Sequence, residues 1–321
     1  MLAEEVIGQH KTRNQLHTLI LFVSMLSLIA LLGYLLAGQL GVIASVIMGI
    51  LLMALAPGIS PALILRMYKA RPIDPYNAPN LHKIVQVLAK RAKLKAVPKL
   101  YYVPSTMMNA FAVGTPQSAH IAVTDGLLKT LNLRELAGVL AHEVSHISNN
   151  DMRVMSVADM MSRLTGLLSN IGQILLIINL PLLLVGEVGV SWWAILLLIF
   201  ASPLVGLLQL ALSRTREFNA DLHAALLTDD PMGLALALKK VAYYSSNLLR
   251  QIIVPGYKVR EPSIFRSHPN TEERIARLQA MEDKGEPVFQ LSEEEASRVL
   301  FEKYAHMLAS RPRWRPGGFW Y

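Results

Sequence analysis

Apolar positions along the chain fall into two kinds of pattern: long runs without a break, and short stretches with a helical or alternating period. A bilayer core about 30 Å thick takes about 20 apolar helical residues to cross. Residues 16–36 give 21 such positions and residues 40–56 give 17, closed by Pro57 and separated from the first run only by Ala37, Gly38 and Gln39. That spacing predicts a transmembrane hairpin. Residues 164–185 and 191–212 predict a second one. The last run opens on Trp192 and Trp193, at the interface level where Trp concentrates. The third carries Asn170, Gln173, Asn179 and Pro181, groups that need partners in lipid, so it reads as a full span or as a re-entrant apolar segment.

Outside these runs the pattern is that of a folded soluble domain. Asn77 and Pro79 predict the N-cap and first turn of a helix reaching about Ala92. Residues 100–103, 109–113 and 119–124 read as short strands from their β-branched and aromatic content and from the breakers Pro104, Gly114 and Pro116. Asn132 with Glu135 three residues on is a capping-box start, which predicts a helix to about Ser148 before the turn-prone Asn149, Asn150 and Asp151. Asp151 is expected to end or brace that helix. The fold class is therefore a mostly α integral membrane protein, with two transmembrane hairpins (four spans) and an α+β domain with a small antiparallel sheet. Residues 1–56 form the N-terminal segment and first hairpin, 57–163 the first part of the domain, 164–212 the second hairpin, and 213–321 the second part with a tail.

Charge sharpens this division. The two apolar regions, residues 16–56 and 164–213, contain one of the chain's 54 charged residues, Glu187. Short flanks carry the cations: Lys11 and Arg13, then Arg66, Lys69 and Arg71, then Arg163, then Arg214 and Arg216. The hairpin tips carry no Lys or Arg, so the positive-inside rule places both termini and the charged domain in the cytoplasm. The same bias accounts for the net charge of +8 without nucleic acid. With no cysteine, a disulfide framework and a thiolate nucleophile are excluded, and any metal ligand is His, Asp or Glu. No GxxxxGK[ST] loop is present, so no nucleotide is expected.

The predicted helix around residue 140 holds His142, Glu143, Val144, Ser145 and His146, an HExxH pattern. Residues four apart share a helical face, so both imidazoles can reach one ion. Glu143, displaced by about 100°, is left to take a proton from the attacking water. A catalytic zinc site takes three protein ligands. The best third is Glu217, because the stretch from Ser213 to Asp221 continues the fourth apolar run without Gly or Pro. Asp221, one turn further, can accept the free N–H of a liganding His and fix its tautomer. A solvated Glu/Asp face is the competing reading of this pair.

HEVSH, SRTREFNAD at residues 213–221, NAFAVG at 109–114, AVTDGLL at 122–128 and HPNTEER at 268–274 together resemble the HtpX-like membrane metalloproteases, a gluzincin family related to the prenyl-protein CAAX proteases. The motifs stand in family order, with an apolar hairpin between the two zinc motifs, and the resemblance covers about residues 1–280. It implies a zinc endopeptidase with one ion per subunit, integral to the plasma (inner) membrane of a prokaryote. Its substrates would be misfolded membrane proteins or unfolded polypeptides, met at the lipid bilayer's cytoplasmic face. It assigns His142, His146 and Glu217 to zinc, Glu143 as base, and Asp221 to orienting a ligand. A processing protease of narrow range and a non-catalytic zinc-dependent scaffold are the alternatives, the latter disfavoured by Glu143, which binding of metal does not need.

Two further sites are expected. Asn109, Ala110, Phe111 and Ala112 read as an edge strand to which an extended substrate adds by main-chain hydrogen bonds, or as a core strand placing Phe111 inward. His268 is an oxyanion donor or substrate clamp, as the matching motif suggests, or a structural cap of the following helix. The tail at residues 311–321 mixes Arg with Trp and Phe, and reads as a disordered end or as a segment lying on anionic lipid.

Overall fold

The computed structural model describes residues 2–55, 60–184, 191–252, 271–281, 314–315 and 319–320. In chain order the elements are α1 (Leu2–Leu55), α2 (Pro61–Met67), β1 (Arg71–Pro72), α3 (Pro79–Arg91), β2 (Lys99–Val103), β3 (Ala110–Thr115), β4 (Ser118–Thr124), α4 (Asp125–Thr130), α5 (Leu133–Ser148), α6 (Asp151–Leu184), α7 (Trp192–Thr228), α8 (Pro231–Ile252), α9 (Thr271–Gln279), β5 (Trp314–Arg315) and β6 (Phe319–Trp320). They divide into two compact units. The first holds α1, α6 and α7 as far as Ala220, and the second holds most of the remainder.

In the first unit, α1, α6 and α7 are long and apolar enough to cross a membrane. Helix α1 is broken at Ala37 and Gly38, and Gly38 has φ +59°, a conformation other residues adopt only with strain. The two arms lie against each other: Gly33 stands so close to the Gly41 backbone and the Ser45 side chain that neither glycine has room for a Cβ. Close backbone approach through small residues is how helices pack where lipid supplies no hydrophobic drive. Met25, Ile29, Leu32, Met161, Leu198 and Val205 form the core of this unit. Only 28% of the most apolar stretch of α1 is buried within the protein, so the rest of that apolar surface suits lipid rather than water. Asp151 lies just beyond the end of α5 at Ser148. It opens α6, where it is buried and accepts a hydrogen bond from Arg216 Nη1 at 2.8 Å, while Arg216 Nη2 donates to Thr18 Oγ1.

The second unit is built on a four-stranded sheet of order β1-β2-β4-β3. This corrects the expected antiparallel sheet: β1–β2 and β3–β4 pair antiparallel, but β2 and β4 run parallel, with Leu100 opposite Ile121. The reason is the tight β3–β4 hairpin, which sends β4 back between β3 and β2. A second correction concerns α3, whose N-cap is Ala78, not Asn77, with Pro79 starting the helix and no side chain capping it.

Helix α5 packs on α3, α8 and β3. Its capping box is reciprocal: the Glu135 N–H donates to Asn132 Oδ1 at 2.9 Å and the Asn132 N–H to Glu135 Oε2 at 3.0 Å. Lys240 of α8 bonds the same Glu135, and Arg134 grips Asp230, just before α8, through Nε and Nη2 at 2.6 and 2.8 Å. A Cβ on Gly138 would lie 2.7 Å from the Leu234 backbone nitrogen, so glycine there sets how closely α5 and α8 approach. These contacts fix the rotation of α5 and therefore the direction of its histidines.

Candidate metal centre

His142 and His146 lie one turn apart on α5, with ring centroids 4.6 Å apart and planes at 87°. Their Nε2 atoms are 3.1 Å apart, turned toward a common point. Two nitrogens bound tetrahedrally to one zinc at 2.0–2.1 Å would be separated by about 3.3 Å, so the pair already has the spacing a zinc ion requires. Glu143 is buried beside them.

Asp221 faces the other side of the first imidazole, with Oδ1 3.0 Å from His142 Nδ1. A carboxylate there favours the ring proton on Nδ1, which leaves the Nε2 lone pair for a metal. The buried carboxylate does not stand alone, because Arg274 of α9 donates to both its oxygens, Nε to Oδ2 at 2.7 Å and Nη2 to Oδ1 at 2.6 Å. Arg274 is itself only 2% exposed, so each charge compensates the other away from water. Ser145, between the two histidines, bonds His223 Nδ1 through its hydroxyl at 3.0 Å.

Glu217 sits one turn before Asp221 on the unbroken helix α7 and is buried. His142, His146 and Glu217 each offer one ligand atom, and these atoms lie within 4.8 Å of one another, a group that could hold a metal ion. The donor set, two imidazoles and one carboxylate, suits zinc.

Strand β3 pairs only with β4 and so forms an edge of the sheet among the described residues. Phe111 turns inward from this edge strand, 8% exposed, against the Tyr68 ring at 4.9 Å. Asn109 is used internally: its N–H donates to Thr124 Oγ1 and its carbonyl accepts the Thr124 N–H. Antiparallel pairing alternates, so Ala110 and Ala112 are the positions whose N–H and C=O face the open edge. His268 and most of the 311–321 tail lie outside the described residues, although β5 and β6 within that tail pair antiparallel.

Arg274 and His223 were not legible as site residues. Arg274 ends the HPNTEER stretch and is 53 positions from its partner, and no spacing rule connects them. His223 stands two residues after Asp221, on a helix whose face toward α5 only the fold reveals.

An HExxH helix with paired imidazoles and an acidic partner helix defines a metallopeptidase. Residues 75–282 match the model of peptidase family M48. The chain is 32% identical over 283 residues to the protease HtpX homolog of Desulforapulum autotrophicum, covering 85% of this chain and 91% of that protein. It is 38% identical over 294 residues to the protease HtpX homolog of Acaryochloris marina, covering 80% and 94%. The crystal structure of S. mikatae Ste24p is a more distant likeness, at 21% identity and TM-score 0.42 over 81% of this chain and 61% of that one. The chain belongs to peptidase family M48 and is a membrane metalloprotease, a hydrolase of peptide bonds.

Proposed function

We propose that the protein is a zinc endopeptidase of a prokaryotic plasma membrane, cutting misfolded or damaged membrane proteins on the cytoplasmic side. The observation that carries the metal assignment is the 3.1 Å separation of the His142 and His146 Nε2 atoms, with Asp221 holding the opposite face of His142. His142, His146 and Glu217 would hold one zinc ion per subunit, and the ion would supply Lewis-acid activation of the attacking water.

The remaining work falls to the chain. An extended substrate adds to β3 and exchanges main-chain hydrogen bonds with Ala110 and Ala112, a mode with little side-chain selectivity that suits unfolded segments. The Glu143 carboxylate removes a proton from the attacking water as the C–O bond forms. It then delivers that proton to the amide nitrogen as the C–N bond breaks. Asp221, held by Arg274, keeps His142 in one tautomer throughout, and His268 hydrogen-bonds the carbonyl oxygen as it gains negative charge. The cytoplasmic placement rests on the cations that flank every apolar run.

Glu143→Gln tests the catalytic reading. Zinc stoichiometry stays as in the wild type, while cleavage of a casein-like substrate falls by about 10²-fold or more. Cleavage at the wild-type rate with Gln at this position would contradict the assigned base.

A further inference from the structure

Helices α6 and α7 leave an open groove whose polar lining is Arg163, Ser169, Asn170, Gln173 and Ser202, beside the apolar Leu167, Ile199 and Pro203. Positions 163, 166, 170 and 173 recur at helical spacing, so they form one stripe along α6. The floor of the groove is internally satisfied. Pro203 has no N–H to give the Ile199 carbonyl one turn back, and Ser169 Oγ donates to that carbonyl at 3.0 Å instead. Ser162 likewise donates to Gln209 at 2.6 Å. The rim is different. Asn170 and Gln173 are exposed, and among the described residues neither their side chains nor that of Ser202 makes a hydrogen bond.

Depth decides what such a rim can meet. Arg163 ends the charged flank and pairs with Asp159 at 2.8 Å. Asn170 lies seven residues further in and Gln173 ten, about 10 and 15 Å along a helix. A lipid headgroup can reach Arg163, but at the level of Gln173 lipid offers only hydrocarbon, which cannot satisfy an amide. The partner that carries polar groups at that depth is another transmembrane helix.

We propose that the α6–α7 groove is a lateral docking site for one transmembrane helix of a substrate protein, a helix bearing Ser, Thr, Asn or Gln in the half nearer the proteolytic side. This rests on the reading of the chain as a membrane protease. Polar side chains of a membrane helix are normally satisfied inside its own bundle, so a damaged protein exposes what an intact one hides. The rim amides of Asn170 and Gln173 each donate and accept, and so select exposed polarity rather than a sequence. Groove and site also share one rod, since α7 runs from Ser202 to Glu217 in fifteen residues, about 22 Å. An extended tail needs about seven residues to cover that length, so cleavage falls at least that far beyond the substrate's span.

The test uses the full chain in proteoliposomes with three substrates that share one casein-like tail: the tail alone, the tail on a span carrying Asn and Ser, and the tail on a span of Leu. In the Asn170→Leu/Gln173→Leu variant, kcat/KM for the polar-span substrate, taken relative to the tail alone, falls about tenfold, mainly through KM. The Leu-span ratio does not change. An unchanged polar-span ratio would overturn the docking site, whereas loss of tail cleavage in the wild type would instead overturn the protease reading. A second measurement stands apart from those variants. The chain has no cysteine, and a Cβ on Gly206 of α7 meets nothing within 4 Å. Gly206→Cys in the Glu143→Gln background should form a disulfide with a single cysteine in the substrate's polar span. Cross-links only between copies of the chain would assign the groove to a second copy. No cross-link, together with activity that follows the anionic-lipid fraction, would assign it to headgroups. Either result overturns the proposal.

Discussion

Asp221 uses its two oxygens in two directions, toward His142 Nδ1 and toward the Arg274 guanidinium, and that division governs what its substitutions do. Asp221→Asn keeps the shape but gives Arg274 no charge to balance and no longer favours the proton on Nδ1. Zinc affinity should fall about 10- to 100-fold in a competitive chelator titration. Arg274→Leu leaves a buried carboxylate uncompensated and costs about 3–5 kcal/mol of stability, read as a lower unfolding midpoint. Wild-type zinc affinity in Asp221→Asn would remove Asp221 from the site. At this scale the sequence disclosed what a short spacing rule encodes. HExxH and the Glu217/Asp221 pair are each set by the four-residue return of a helix. Arg274 belongs to a different element, and only the fold joins them.

The elements that aim these residues depend on polar joints at their ends. Asp230 bonds the Gly233 N–H at the start of α8 and the Arg134 side chain of α5. Burial alone would push its carboxyl up. The hydrogen bonds from Arg134 and the Gly233 N–H outweigh this and hold it below the ordinary 3.8. The folded chain therefore binds this proton more weakly than the unfolded chain. Stability from Asp230 is fully present above pH 3.8 and is lost as pH falls through that value toward the lower folded one. Asp230→Asn should flatten the acid side of the unfolding profile from about pH 4 downward. Parallel profiles for the two proteins would contradict this. The α5 capping box was legible because both partners lie within four residues. Strands β3 and β4 were legible too, from their β-branched and aromatic content and the breakers Gly114 and Pro116. The parallel β2–β4 pairing was not, because alternation tells which face a strand buries and nothing about the direction of its neighbour.

At the scale of the whole molecule, the separation of apolar runs from charged stretches already gave the membrane helices and the turn at Ala37 and Gly38. The extents differ. Helix α6 begins at Asp151, thirteen residues before its apolar run, and α7 continues sixteen residues past the end of its own. Apolar runs mark where lipid is, whereas helices stop where capping and backbone allow. Orientation remains a prediction from the flanking cations. A reporter fused after Tyr321 should give a cytoplasmic signal in intact cells, and an extracytoplasmic one would reverse the assignment.

The proposed chemistry requires that His142, His146 and Glu217 share one ion. Zinc content of purified Glu217→Ala, measured beside the wild type and Glu143→Gln, tests it most directly. About one zinc per chain is expected in the wild type and in Glu143→Gln, and near-complete loss in Glu217→Ala with the fold intact by circular dichroism. Full zinc occupancy in Glu217→Ala would contradict it.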